Sequence, residues 1–100
     1  MKIYKIKIGN TYYKAGYFNT GKEASLELEY KSEKVLLYFN KKKIDIDSKI
    51  NRTSNKNGTV RIYGGNKFKK FIQDNYKLNE DLEFEIISKT EINFVKKYKL

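Results

Sequence analysis

One hundred residues, 39% hydrophobic and 34% charged, are enough for a single domain over 1–100 with a modest core. Twenty-two Lys and Arg against twelve Asp and Glu leave a net charge of +10, which favours an anionic partner. With no Cys, His, Trp or Pro, and no apolar run of membrane-spanning length, the chain has no means for disulfides, thiolate or imidazole metal sites, or Ser-His-Asp and Cys-His nucleophiles; the expectation is a cytoplasmic, non-enzymatic domain without metal or cofactor.

Period two dominates the chain. Ile3, Lys5 and Lys7 alternate with Tyr4, Ile6 and Ile8 and predict a strand that ends at Gly9-Asn10. Tyr12, Tyr13, Tyr17 and Phe18 bracket Gly16 as a short strand with a bend, and Asn19-Thr20-Gly21 reads as a turn. Residues 25–30 alternate cleanly, with Leu26, Leu28 and Tyr30 on one strand face. The apolar run Val35–Phe39 has the character of a central strand. Lys41-Lys42-Lys43 makes a loop, and Ile44, Ile46 and Ser48 define a further strand.

Residues 49–58 form the most polar stretch and predict an exposed loop. Val60, Ile62 and Tyr63 follow as a strand, and Gly64-Gly65-Asn66 turns it into a helix with Asn66 as N-cap. Phe68, Phe71 and Ile72 stand at i, i+3 and i+4, so one short amphipathic helix is expected near 67–75. Leu78 is expected back in the core; Leu82, Phe84 and Ile86, then Ile92, Phe94 and Val95, supply the last two strands. Seven to eight strands and one helix predict a mainly β (α+β) fold. Closure into an open barrel or pseudobarrel protects so many short edges.

The basic character needs discounting, because Lys, Ile, Asn, Tyr and Phe make up 56 of the 100 residues, as in an AT-rich coding sequence. Its distribution carries more information: residues 1–22 hold five Lys and no acid, and residues 40–79 hold nine Lys and both Arg against three Asp. Two basic blocks separated by near-neutral ones predict positive surface built from two segments, or Lys solvated around the whole domain. Tyr4, Tyr12, Tyr13 and Tyr17, set among N-terminal lysines, are either a base-stacking set or the filling of a half-buried sheet face. Asp45 and Asp47 alternate on one predicted face, as a metal pair or as a balance to the three neighbouring lysines. Glu29-Tyr30-Lys31 has nuclease-like spacing, but no Asp precedes Asp45. Gly64-Gly65 matches no nucleotide-binding fingerprint.

From Gly58 to Phe94 the order is more particular. Gly58-Thr59-Val60-Arg61-Ile62-Tyr63 leads through Gly64-Gly65 into Lys67-Phe68-Lys69-Lys70-Phe71-Ile72-Gln73-Asp74-Asn75, then Leu78, Glu80-Asp81 and Phe84-Glu85. This resembles the closing half of the DNA-binding pseudobarrel family, which comprises the plant-specific transcription-factor domain and recognition domains of some type II restriction endonucleases. Glu80 stands where the family has Gly, Gly-Gly-Asn replaces an aromatic turn, and residues 9–24 lack the visible pattern of the family's N-terminal helix. The resemblance implies two loop-based arms that straddle the major groove of duplex DNA. One arm falls near Asn10 to Lys22; the other is Asn51, Arg52, Thr53, Ser54, Asn55, Lys56 and Asn57. Arg52, Asn55 and Asn57 would read base edges, while Lys41, Lys42, Lys43, Lys56 and Lys14 would meet phosphates, with Tyr12 and Tyr13 beside them.

A non-catalytic regulator or targeting module that binds duplex DNA, with RNA or a ribonucleoprotein as a possible variant, is the leading expectation. One alternative is a protein-binding role, since the chain is the size of small phage-type inhibitors that bind bacterial nucleic-acid defence effectors. The other is a single-strand binder of the OB type.

Overall fold

The computed structural model describes residues 2–96. Its first strand, β1 (Tyr4–Lys7), is followed by helix α1 (Asn10–Ala15), strand β2 (Tyr17–Asn19) and a single helical turn, α2 (Lys22–Ser25). A long strand β3 (Ser32–Phe39) hairpins into β4 (Lys42–Lys43) and β5 (Ser48–Asn51); β6 (Arg61–Tyr63) then leads into helix α3 (Gly65–Asn75). The chain closes with β7 (Asp81–Ser88) and β8 (Glu91–Val95).

The eight strands form one strongly curled, half-barrel sheet in the order β1-β7-β8-β3-β5-β6-β2, with β4 on β3. Val35–Phe39 is central as expected: β3 pairs in parallel with β8 on one side and antiparallel with β4 and β5 on the other. Register shifts lie between Ser32 and Val35 on β3 and between Ile86 and Ser88 on β7, and such irregularities sharpen the local bend. The inside of the curl is filled by Phe18, Val35, Leu37, Ile62, Phe84, Ile92 and Phe94, with Phe68 and Ile72 of α3 closing it. Among the described residues no helix is long and apolar enough to cross a membrane.

Several local expectations are corrected. Three helical segments are present instead of one. Residues 10–15 are a helix, so Tyr12 and Tyr13 leave the strand assigned to them; α1 lies against α3, and tertiary packing there overrides the β preference of tyrosine. Residues 25–30 are not a strand: i+3 bonds from Leu26, Glu27 and Leu28 N–H to Glu23, Ala24 and Ser25 continue the α2 turn. Ala24, Ser25 and Leu28 are therefore buried, while Leu26 and Tyr30 are 82% and 75% exposed. Strand β5 begins only at Ser48, whose hydroxyl donates to the Val35 carbonyl, and it takes in Lys49–Asn51 from the predicted loop. Helix α3 starts before Asn66, without a side-chain cap. Tyr76 rather than Leu78 returns to the core, because Asn79 turns at φ 71° and its N–H donates to Ile8.

Gly16 positions the site described next. Its φ is 73°, and its carbonyl accepts from both Gly64 and Gly65 N–H at 3.0 Å. A Cβ there would lie 2.5 Å from the Gly65 carbonyl oxygen, so only glycine lets β2 approach the start of α3 this closely. At the other end of the N-terminal segment, Lys2 pairs with Glu23 and the Tyr4 hydroxyl donates to Glu27, latching the α2 turn onto β1. That hydrogen bond, with burial and the Glu27 and Glu23 charges, pushes the Tyr4 phenol up to about 12.

Gly16→Ala should lower the unfolding free energy by roughly 1–3 kcal/mol in a urea titration, because it adds left-handed strain to a backbone clash. An unchanged midpoint would show that the β2–α3 approach tolerates a methyl group. The Tyr4 latch is pH-dependent in a definite direction. The folded state favours the protonated phenol, so its contribution is complete below the ordinary value of 10.0 and fades as pH climbs toward about 12. Melting curves of the wild type and Tyr4→Phe should therefore converge across that window; a constant gap would refute the latch.

Candidate nucleic-acid interface

Strands β5, β6 and β2 alternate strictly. Ile50, Ile62 and Phe18 turn inward to the core. The outward positions fall into two registered rows, Lys49–Tyr63–Tyr17 and Asn51–Arg61–Asn19. Two cations, two phenols and two amides share this face, and none of the six positions carries a carboxylate. The outward positions of β7 and β8 are the converse, with Asp81, Glu83, Glu85 and Glu91.

Arg61 organises the face. Its guanidinium lies over the Tyr17 ring, 4.1 Å from the centroid, and 5.9 Å from that of Tyr63. Its Nε donates to Asn19 Oδ1 at 3.0 Å, Nη1 to the Tyr63 hydroxyl at 3.4 Å and Nη2 to Asn55 Oδ1 at 3.3 Å. Tyr12 meets Tyr17 edge-on at 6.1 Å, and Tyr63 lies 5.6 Å from Tyr17 on the other side. The Tyr63 phenol is held below its ordinary value by the hydrogen bond with Ser54, then by Arg61, with Lys49 adding its charge and burial opposing.

The segment expected to read bases is largely bound up in its own geometry. Arg52 turns back into the fold, where Nε donates to Tyr30 O at 2.6 Å and Nη1 to Gly58 O at 3.2 Å. Nη2 reaches the carbonyls of Ser25, Leu28 and Glu29 at 2.8, 3.2 and 3.1 Å. Asn51 Oδ1 accepts from the N–H groups of Thr53 and Ser54, and Asn57 Oδ1 from that of Thr59. The Ser54 hydroxyl bonds that of Tyr63 at 3.0 Å. Asn55 Nδ2 donates to Thr59 O at 3.1 Å and to Asn19 Oδ1 at 3.0 Å. The last bond ties residues 51–57 to Asn19 of β2. Lys56 is exposed at the tip.

Other predicted residues are dispersed. Tyr12 lines a cleft of about 340 Å³ with Lys7, Asn10, Tyr17 and Asn19 at the β2 edge of the face. Lys14 is exposed on α1, and Tyr13 packs partly against the core while its carbonyl accepts from Gln73. Lys41, Lys42 and Lys43 stand apart from the arms. Lys41 N–H donates to the buried Asn93, and its side chain lines a cavity with Glu85 and Glu91; Lys43 lines a groove with Glu33, Asp45 and Asp47. Asp45 pairs with Lys67 at 3.2 Å. Among the described residues no three His, Cys, Asp or Glu side chains gather as a metal set. The sequence reading passed over Arg61, Tyr63, Lys49 and Asn19. The signal for them was the alternation Tyr17-x-Asn19 and Arg61-x-Tyr63 around inward Phe18 and Ile62.

Comparison with protein-family models, curated proteins and solved structures finds no match to this chain.

Because Arg52 clamps a loop, Arg52→Lys should lose about 2 kcal/mol of stability, as expected when several carbonyls lose a charged partner. Backbone amides 26–30 should exchange faster with solvent in that variant. Equal stability and unchanged exchange would mean that the clamp is dispensable.

Proposed function

We propose that this chain is a nucleic-acid-binding domain that grips duplex DNA with the outer face of β5–β6–β2 and the two segments, 10–22 and 51–57, that border it. The carrying observation is the charge segregation. In a chain of net charge +10 whose acids gather elsewhere on the outer surface, six registered outward positions carry cations, phenols and amides and no carboxylate. A polyanion is met by such a face without like-charge repulsion. Lys49, Lys56, Lys7 and Lys14 supply phosphate contacts; the guanidinium hydrogens of Arg61 left over from its internal bonds and the Nδ2 group of Asn19 supply donors toward base edges, with Asn55 holding both in place. The bond between Asn55 and Asn19 supports this reading, as does a helix over Asn10–Ala15, where the pseudobarrel resemblance expects one. Arg52 contributes indirectly, through the shape of its loop.

A second reading rests on a different observation. Leu26 and Tyr30 project from a loop that Arg52 makes rigid, and a pre-organised exposed apolar pair suits contact with a protein. On this reading the chain is a binder of a nucleic-acid-handling protein.

Fluorescence anisotropy of labelled duplex, single-stranded DNA and RNA across a salt series separates these readings. Duplex should bind most tightly, with log K falling linearly against log salt; Lys49→Ala and Lys56→Ala should each flatten that slope by about 0.9, the value for one phosphate contact. Preference for single strands would move the assignment to an aromatic stacking platform. Weak binding of all three at low salt would favour the protein partner.

A further inference from the structure

A cleft of about 560 Å³ opens where the β5 edge of the proposed DNA face meets the start of α3. Tyr63 and Lys49 line it from the face, and Gly64-Gly65 contributes bare backbone. Tyr63 has Tyr17 on its β2 side and Lys49 on its β5 side, so the cleft borders the flank of Tyr63 opposite its aromatic neighbour. Two exposed carboxylates, Glu33 and Asp47, also line it. Neither makes an ion pair within 4 Å among the described residues.

This composition is the wrong one for a backbone phosphate. Two carboxylates beside a phosphate-binding face repel a second phosphate, whereas they accept hydrogen bonds from a neutral donor. The neutral donors of the bases are imino N–H groups, with one hydrogen, and exocyclic amino groups, whose two hydrogens can serve two acceptors; an aromatic wall suits a base plane. Lys49, at the mouth, is placed for the phosphate of the same nucleotide. The volume falls within the range of small-molecule sites.

Resting on the nucleic-acid reading above, we infer that this cleft receives one unstacked nucleobase carrying an exocyclic amino group (cytosine, adenine or guanine, as against thymine or uracil), with Glu33 and Asp47 as acceptors and Tyr63 as the wall it lies against. Taking a base out of a duplex is costly, least so where the base is already unpaired. The domain therefore prefers duplexes in which a bulged or mismatched base carries an amino group over those in which it is thymine.

The test uses the full chain and end-labelled duplexes identical but for one central position: fully paired, bulged cytosine, bulged adenine, or bulged thymine. Anisotropy should give roughly tenfold tighter binding of the cytosine and adenine bulges than of the thymine bulge, near the lower end of what one good base-edge contact provides. Asp47→Asn and Glu33→Gln are exposed and conservative, and together they should erase that preference while paired-duplex affinity holds or rises. Equal affinity for all four duplexes overturns the cleft assignment and leaves the duplex reading standing. No affinity for any of them overturns both. A bulge preference that survives the double substitution removes the carboxylates from the role.

Discussion

Everything in this fold hangs on the ring of Phe18. It sits 5.5 Å from Phe68 of α3 and 5.6 Å from both Phe84 of β7 and Phe94 of β8. Phe18 belongs to β2, at one end of the strand order, whereas β7 and β8 lie near the other end. The aromatic cluster thus joins the two arms of the curled sheet across its interior, with α3 as the bridge. Aromatic pairs at these separations add about 0.5–1.5 kcal/mol each beyond the area they bury. The glycine contact between Gly16 and Gly64-Gly65 is what allows β2 close enough to α3 for the cluster to form.

The chain contains two arginines against twenty lysines, and both occupy places where a lysine would not serve. Arg52 reaches five carbonyls in two segments of chain, four within Ser25–Tyr30 and that of Gly58, and its guanidinium also lies 5.5 Å from the Tyr30 ring. Arg61 meets an amide oxygen on each side and a phenol, while covering an aromatic face. A planar fork with several fixed donors can satisfy such divergent acceptors; a single ammonium on a flexible stem cannot. One arginine shapes the loop that leaves Leu26 and Tyr30 in solvent, and the other shapes the face proposed to meet nucleic acid.

The opposite side of the sheet is organised by acceptors. Glu91 takes hydrogen bonds from Ser88 and Tyr38, which hold its carboxyl below the usual carboxylate range, and Asn93 donates to Glu85. Asn93 is an outward residue buried to 2% exposure, and it is tolerated because both ends of its amide are satisfied. Carboxylates collected on β7 and β8 leave the β5–β6–β2 face free of them, so the electrostatic contrast comes from strand register rather than from net charge.

The apolar run 35–39, the strand patterns in 60–63, 82–86 and 92–95, and the i, i+3, i+4 spacing of Phe68, Phe71 and Ile72 were legible in the sequence, and with them the mainly β, curled architecture. These signals are local, because a side chain's face follows from the period of its own element. Residues 10–15 and 25–30 were misread for the complementary reason. Tyrosine and alternating leucine have strand-like preferences, and only the docking of α1 on α3 and the carbonyl clamp of Arg52 hold those segments otherwise. The polar segment 51–57 was recognisable as a loop, yet its composition could not tell that Arg52 faces inward while Arg61 faces out. Composition determined that the protein is basic and contains neither Cys nor His. Which cations share a surface, and which carboxylates are kept from it, was decided by the pairing of β6 with β2 and β5, since partners as distant in the chain as Tyr17 and Tyr63 meet only once the sheet has closed.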